Sequence, residues 1–487
     1  MNSILRMAIS LTFLTICNQI HAQSNTNPNV VFFLVDDLGW TDLGSFGSEF
    51  YETPNLDRLV KSGIKFTQAY TASPVCSPTR ASIMTGKYPS KMYNTDWFGA
   101  PQPTEIQNHW TKNKPLKPAH YEPNLALEEI TMAEAFKAAG YATFFAGKWH
   151  LGEEESHWPE NQGFDINKGG NDKGAPSTGK KYFSPYENPR LENGPDGEYL
   201  PERLAAETSK FIRENKTKPF FAMLSFYSVH TPLMTTKALE DKYLKKRAAM
   251  GLEDKFELEH ANQNRITQAH AIYAGMVEAM DQAVGKVIDE LEKQGLTEKT
   301  IIVFFSDNGG LSTAEGSPTT NLPLRAGKGW LYEGGIRVPL IMSWKGKLPA
   351  GKEIHTPVIS NDFFPTFLDL SGNRHVLDAI ENIDGISLKN WMMEPEKAAE
   401  RDALYWHYPH YGNQGGNPGS VIREGDWKLI YFYETQKMEL YNLKDDIGER
   451  NNLADAQPEL ADKMKTKLFD WLVATKAAFP RQNEARK

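Results

Sequence analysis

Two short apolar runs restrict what this chain can fold into. Asn29–Val35 (N-V-V-F-F-L-V) and residues 300–305 (T-I-I-V-F-F) are β-branched and aromatic and too short for buried helices, so each reads as a strand covered on both faces. Such strands belong to parallel sheets with helices on either side, and the intervening sequence alternates accordingly. Residues 53–63 read as a helix, with Thr53 as cap, Pro54 at its first position and Gly63 at its end. Ile64–Tyr70 follows as a strand, and 131–140 as a helix with a capping box from Thr131 to Glu134. Strands at 141–146 and 219–226 and helices at 203–215 and 263–294 continue the pattern. From about Ala399 the texture changes to aromatic-rich alternating runs joined by Gly- and Asp-containing turns, closed by an amphipathic stretch at 459–476. The expected architecture is α/β: a large, mostly parallel sheet sandwiched by helices over 23–398, then a smaller antiparallel β subdomain with a closing helix over 399–487.

The ends of these strands carry the chemistry. The first runs into Asp36-Asp37 and the second into Ser306-Asp307-Asn308-Gly309-Gly310. Ligand sites in open α/β sheets form beyond the carboxyl ends of strands. If the two strands are neighbours, three carboxylates and an amide converge as hard oxygen donors, a set suited to Ca²⁺ rather than zinc. Three more strand ends carry isolated cations: Lys148 with His150, His230, and Lys328. Residues 73–86 (S-P-V-C-S-P-T-R-A-S-I-M-T-G) hold Cys76 between two prolines, with Arg80 in a helix expected over 79–86. A helix N-terminus and an Arg fork together favour a tetrahedral oxyanion. The other cysteine, Cys17, lies in 1–22, which reads as a cleaved secretory signal with Arg6, an apolar core from Met7 to Ile16 and an I-H-A/Q step. A lipid anchor through Cys17 is the competing reading, against which Ile16 stands where a small residue is wanted. The mature chain then holds one thiol, which cannot form an internal disulfide.

C-S-P-T-R resembles the C-x-P-x-R signature of the type I, formylglycine-dependent sulfatases of the alkaline phosphatase-like superfamily. The following A-S-I-M-T-G-K-Y-P and the blocks G-K-W-H-L-G, H-T-P and G-K-G-W-L-Y-E-G-G-I-R-V-P are similar to that family in the same order. The resemblance implies that Cys76 is converted to 3-oxoalanine (Cα-formylglycine) by a formylglycine-generating or sulfatase-maturating enzyme. It implies that Asp36, Asp37, Asp307 and Asn308, with the modified Cys76, ligate Ca²⁺, and that Arg80, Lys148, His150, His230 and Lys328 bind sulfate or move protons. One hydroxyl of the hydrated aldehyde attacks sulfur, and the other is deprotonated to expel sulfate. His230, helped by Lys328, is the expected acid and His150 the expected base, and the two roles can be exchanged without conflict with the sequence.

A net charge of −8 argues against nucleic-acid partners and requires any anionic substrate to be met by a local cationic pocket. No segment after the leader offers about 18 uninterrupted apolar residues, so no membrane span is expected; the leader points to a periplasmic or secreted protein. Two rivals remain at this stage: a phosphodiesterase or phosphonate hydrolase of the same superfamily, and a sulfated-glycan-binding protein with an inert Cys76. The expected substrate is a sulfated carbohydrate, with galactose- or rhamnose-type units of algal or host polysaccharides as candidates. Residues placed to read sugar are Trp97, His109 and Trp110 in the loop region 90–124, His157, Trp158 and Asp172, and His407, His410 and Arg423. The last three are expected on a loop over 405–423 that closes the pocket mouth and makes the enzyme exo-acting.

Overall fold

Successive side chains of Asn29–Val35 sort to opposite faces of one sheet: Val31, Phe33 and Val35 into one apolar cluster, and Val30, Phe32 and Leu34 into another. This period-two division is why no polar residue follows Asn29 in the run. In the computed structural model, which describes residues 27–399 and 401–484, the strand lies near the middle of a nine-stranded sheet. The order across the sheet is Lys352–Ile354, Ile64–Tyr70, Arg337–Ser343, Thr300–Ser306, Asn29–Val35, Phe220–Ser225, Ala142–Gly147 and Ile166–Lys168, with Val358–Ile359 also paired to Ile64–Tyr70. All pairings are parallel except those of Arg337–Ser343, which runs antiparallel to both neighbours. Helices Leu200–Asn215 and Ala271–Lys293 cover one face, and Cys76–Thr85, Met132–Ala138 and Phe363–Leu370 the other. Thr131 closes its capping box with Glu134 as expected.

Thr53 departs from expectation, because its hydroxyl accepts the Gly44 N–H and donates to the Asp57 carboxylate at 3.3 Å, and accepts no backbone N–H of the helix it precedes. The helix expected from residue 263 starts at Ala271, since Asn262–Arg265 pairs with Phe256–Glu259 as a hairpin. The leader expected over 1–22 lies outside the described residues.

The C-terminal part is a four-stranded antiparallel meander, Leu404–Tyr408, Gly419–Glu424, Trp427–Phe432 and Lys437–Asn442. Ile422, Leu429 and Leu440 face the closing helix Pro458–Ala474, while Trp406, Val421 and Ile430 face Tyr70, Val75 and Trp330 of the large domain. The Trp406 indole donates to Thr71 O at 2.7 Å, fastening the meander to the segment that leads to Cys76. The loop expected over 405–423 is therefore strand at both ends, and only 409–418 connects. His407 pairs with Ser420 Oγ (2.7 Å) and Ala478 O (2.8 Å) inside the C-terminal part. Arg423 alternates toward the large sheet and donates to the Tyr70 hydroxyl and the Gln68 amide oxygen. Neither residue reaches the pocket mouth.

Candidate active site

Because Asn29–Val35 and Thr300–Ser306 pair in parallel, with Val35 opposite Ser306, their carboxyl ends finish together. Asp36, Asp37, Asp307 and Asn308 consequently share one buried floor. Asp37 N–H donates to Asp307 Oδ1 at 3.3 Å, and Asn308 Nδ2 donates to Asp37 Oδ1 at 2.8 Å. Phe220–Ser225 and Ala142–Gly147, the next strands outward, deliver the cations from the same edge.

Each acid has a cationic partner from another element. Lys148 Nζ lies 2.7 Å from Asp36 Oδ2, Lys328 Nζ 2.8 Å from Asp37 Oδ1, and Arg80 Nε 2.7 Å from Asp307 Oδ2. Arg80 Nη1 is held by Lys148 O and Ser225 Oγ, leaving Nη2 buried without a partner. Burial pushes the Asp36 carboxyl well above the usual range, against the pull of Lys148. Burial also works against the charge of Asp37, but Lys328, His230 and Lys148 outweigh it and hold that carboxyl below the usual range.

Cys76 is the first residue of helix Cys76–Thr85, three positions earlier than expected, and its thiol is buried. Its Sγ lies 3.4 Å from His150 Nδ1. His150 Nε2–H donates to Phe98 O at 2.9 Å, which turns the Nδ1 lone pair toward Cys76, and burial together with Lys148 keeps the ring neutral. Burial pushes the Cys76 thiol up, although Lys148 and Lys328 pull the other way. An unmodified thiol here is thus a poor nucleophile. His230 donates Nδ1–H to Thr231 O at 2.7 Å and places Nε2 3.8 Å from Asp37 Oδ2; burial and Lys328 lower it to about 4.

The floor fits a hard divalent cation. Asp36 Oδ1 and Asn308 Oδ1 are buried and have no hydrogen-bond partner. Ligand atoms of Asp36, Cys76 and Asp307 lie within 4.8 Å of one another, as do those of Asp36, Asp37 and His230. Oxygen donors dominate both groups, which suits Ca²⁺. Buried orphan acceptors are costly, and a cation would satisfy both at once.

All ten expected chemistry-bearing residues thus converge. Above them opens a cleft of about 540 Å³, lined by Cys76, His150, His230, Lys328, Trp97 and Asp172 among others. The sugar-reading candidates divide. Trp97 and Asp172 line the cleft, whereas His109, Trp110 and His410 line a separate, smaller cavity. Trp158 is buried beneath the Arg190 guanidinium, and His157 accepts the Trp149 indole N–H on its carbonyl, so neither lines the cleft. Sequence reasoning missed Lys173, Glu315, Asn413 and Gln414, which also line it. Glu315 accepts hydrogen bonds from Thr231, Asn413 and Gln414 at 3.1 Å each, tying the 409–418 connection to the His230 segment. The available signal was the Gly- and Asn-rich character of the loops bearing Lys173 and Asn413.

A family model described as Sulfatase matches residues 28–373, and one described as N-sulphoglucosamine sulphohydrolase, C-terminal, matches 326–474. A protein named Sulfatase from Formosa agariphila is 32% identical, covering 94% of this chain and 91% of its own length. The N-acetylgalactosamine-6-sulfatase of Canis lupus familiaris is 30% identical over 88% of this chain and 76% of its own. The crystal structure of Ps i-CgsB is 29% identical with a TM-score of 0.71, covering 91% of this chain and 92% of that one; its complex with k-i-k-neocarrahexaose also superposes with a TM-score of 0.71.

Proposed function

The chain belongs to the sulfatase family of sulfuric ester hydrolases, and on that premise we propose that it removes sulfate from galacto-configured units at the ends of sulfated oligosaccharides, in the periplasm or outside the cell. The observation that carries the reading is the meeting of Cys76, His150, Arg80, Lys148, Lys328 and His230 over one acidic floor. The galacto preference is supported by the N-acetylgalactosamine-6-sulfatase relative, and an oligosaccharide substrate by the protein crystallised with k-i-k-neocarrahexaose. Action at chain ends is supported by Asn413 and Gln414, which line the cleft from the 409–418 connection.

Formylglycine made from Cys76 would supply the nucleophilic hydroxyl, and Ca²⁺ held by Asp36, Asp37, Asp307, Asn308 and residue 76 would favour its ionised form. The chain's own groups divide the remaining work. Arg80 Nη2, Lys148 and Lys328 present positive charge to the non-bridging sulfate oxygens in a site with little water to reorganise. The unprotonated Nδ1 of His150 faces the reacting group and acts as base. His230 Nε2 faces the cleft and, once protonated, gives its proton to the leaving oxygen, while Lys328, held charged by Asp37 against the effect of burial, stands beside it and stabilises the developing negative charge. In the absence of substrate His230 is neutral, so it must be loaded when the anion enters.

The test compares 4-nitrophenyl sulfate with 4-nitrophenyl phosphate, then a panel of 4- and 6-sulfated galactose and N-acetylgalactosamine and their oligosaccharides. Turnover of sulfate over phosphate is expected, with preference for galacto-configured members. Faster phosphate hydrolysis would favour the phosphodiesterase rival, and binding without any turnover would favour the glycan-binding one.

A further inference from the structure

Beside the catalytic cleft lies a second cavity of about 220 Å³, and Trp97 and Asn413 line both. Two indoles in this area stay open to solvent, Trp97 at 39% and Trp110 at 46%, while Trp149, Trp330 and Trp406 are buried. Gly99 makes the placement of Trp97 possible: its φ is +102°, and a Cβ there would come within 3.0 Å of the Trp97 ring. The Lys114 ammonium lies 5.5 Å from the Trp110 ring centre and 5.0 Å from that of Tyr411, two rings that line the same space.

The floor of this cavity is polar. Asp96 and His410 are both buried there. Asp96 Oδ1 accepts the Trp97 N–H and the Tyr408 hydroxyl. His410 Nε2 pairs with Thr95 Oγ1 at 2.9 Å, but its Nδ1, 3.3 Å from Asp96 Oδ2, makes no hydrogen bond. Aromatic walls with a few convergent polar groups beneath them match a pyranose, whose faces are apolar and whose rim is hydroxylated. The cavity is smaller than one for a drug-sized ligand and suits a single ring.

We propose that this cavity is a sugar subsite for the unit linked to the sulfated one, with Trp97 and Asn413 as the partition the glycosidic bond crosses and Trp110 as the stacking wall. The proposal rests on the carbohydrate-sulfatase reading and adds that the preferred substrate is at least a disaccharide. Burial raises Asp96 to about 8, so at neutral pH its carboxyl is largely protonated and offers hydroxyls a donor as well as an acceptor.

The test measures kcat/KM for 4-nitrophenyl sulfate, for the best monosaccharide sulfate of the panel above and for the disaccharide containing it. In the unmodified chain the disaccharide is expected to exceed the monosaccharide by about tenfold, a size typical of one aromatic contact. Trp110→Ala should collapse that ratio to near one, and Trp110→Phe should restore part of it. An equal rate for both sugars in the unmodified chain, or a ratio that Trp110→Ala leaves unchanged, would overturn the subsite while the sulfatase reading stands. Absence of turnover on every sulfate ester would remove the reading beneath it.

Discussion

Lys428 Nζ lies 3.0 Å from Glu333 Oε1, and neither side chain has exposed surface. Glu333 follows Lys328 by five residues in the chain, and Lys428 sits in an inner strand of the C-terminal meander, so the pair fastens that meander to the segment presenting Lys328. Glu449, 2.8 Å from Lys428, also receives the Glu333 N–H. Burial raises Glu449 to about 7 despite Lys428, whereas Glu333, opposed by burial but supported by Lys428, Arg337 and Arg423, stays at about 2. One ammonium therefore stands between a firmly ionised carboxylate and one that is readily protonated.

Removing that ammonium leaves two buried carboxyls facing each other. Lys428→Met is expected to cost about 3–5 kcal/mol of stability in urea unfolding at pH 7.5. The cost should shrink toward pH 5, where the carboxyls protonate. A loss below about 1 kcal/mol at pH 7.5 would show that the pair is not a structural fastener.

Cys76→Ala should abolish turnover of 4-nitrophenyl sulfate while leaving the melting temperature within a few degrees of the unmodified chain, because only one small side-chain group leaves the site. Mass analysis of the peptide carrying residue 76 should show exchange of thiol for aldehyde when the expression host supplies a maturating enzyme. Retained activity in the alanine variant would end the mechanism.

Chelation of Ca²⁺ should strand the Asp36 and Asn308 acceptors and lower both activity and melting temperature. Restoring Ca²⁺ at a hundred times its dissociation constant should return about 2.7 kcal/mol of stability by mass action. In Asp307→Asn, which also weakens the hold on Arg80, that calcium-dependent rise should be reduced. A melting temperature indifferent to calcium would count against the ion.

His407 supplies a pH test of stability. Burial lowers it from 6.5 to about 4 in the fold, with Ser420 and Ala478 as partners. As pH falls below 6.5 the unfolded chain takes up a proton that the fold refuses until about pH 4, so stability is full above 6.5 and drops across that window. The contribution is about 3 kcal/mol. Thermal melts of His407→Gln should show a shallower fall between pH 6.5 and 4, and an unchanged slope would contradict the assignment.

The centre was legible because strands buried on both faces have little reason to end in Asp-Asp or Asp-Asn, and a shared sheet edge brings such ends together. Arg337–Ser343 was missed for a local reason. Pro339 reads against a central strand, yet it sits where the register against Ile64–Tyr70 shifts between Val338 and Leu340. Gly419–Glu424 reads as loop in the sequence because G-S-V-I-R-E shows too few alternations after the Gly- and Pro-rich connection. The destination of Arg423 depends on that strand's pairing, and a slip of one residue would send it to the opposite face. Trp110 and His410, far apart in sequence, share a cavity only because the 409–418 connection folds back over the loop region beginning at residue 90.

Every group that touches the acidic floor, from Asp36 to Lys328, is encoded before residue 329, while Asn413 and Gln414 arrive on a ten-residue span between two meander strands. Substitutions in that span can therefore change one wall of the cleft while every residue of the acidic floor keeps its identity. The architecture leaves one part of the substrate contact heritable apart from the chemistry, and libraries confined to 409–418 would vary that part alone.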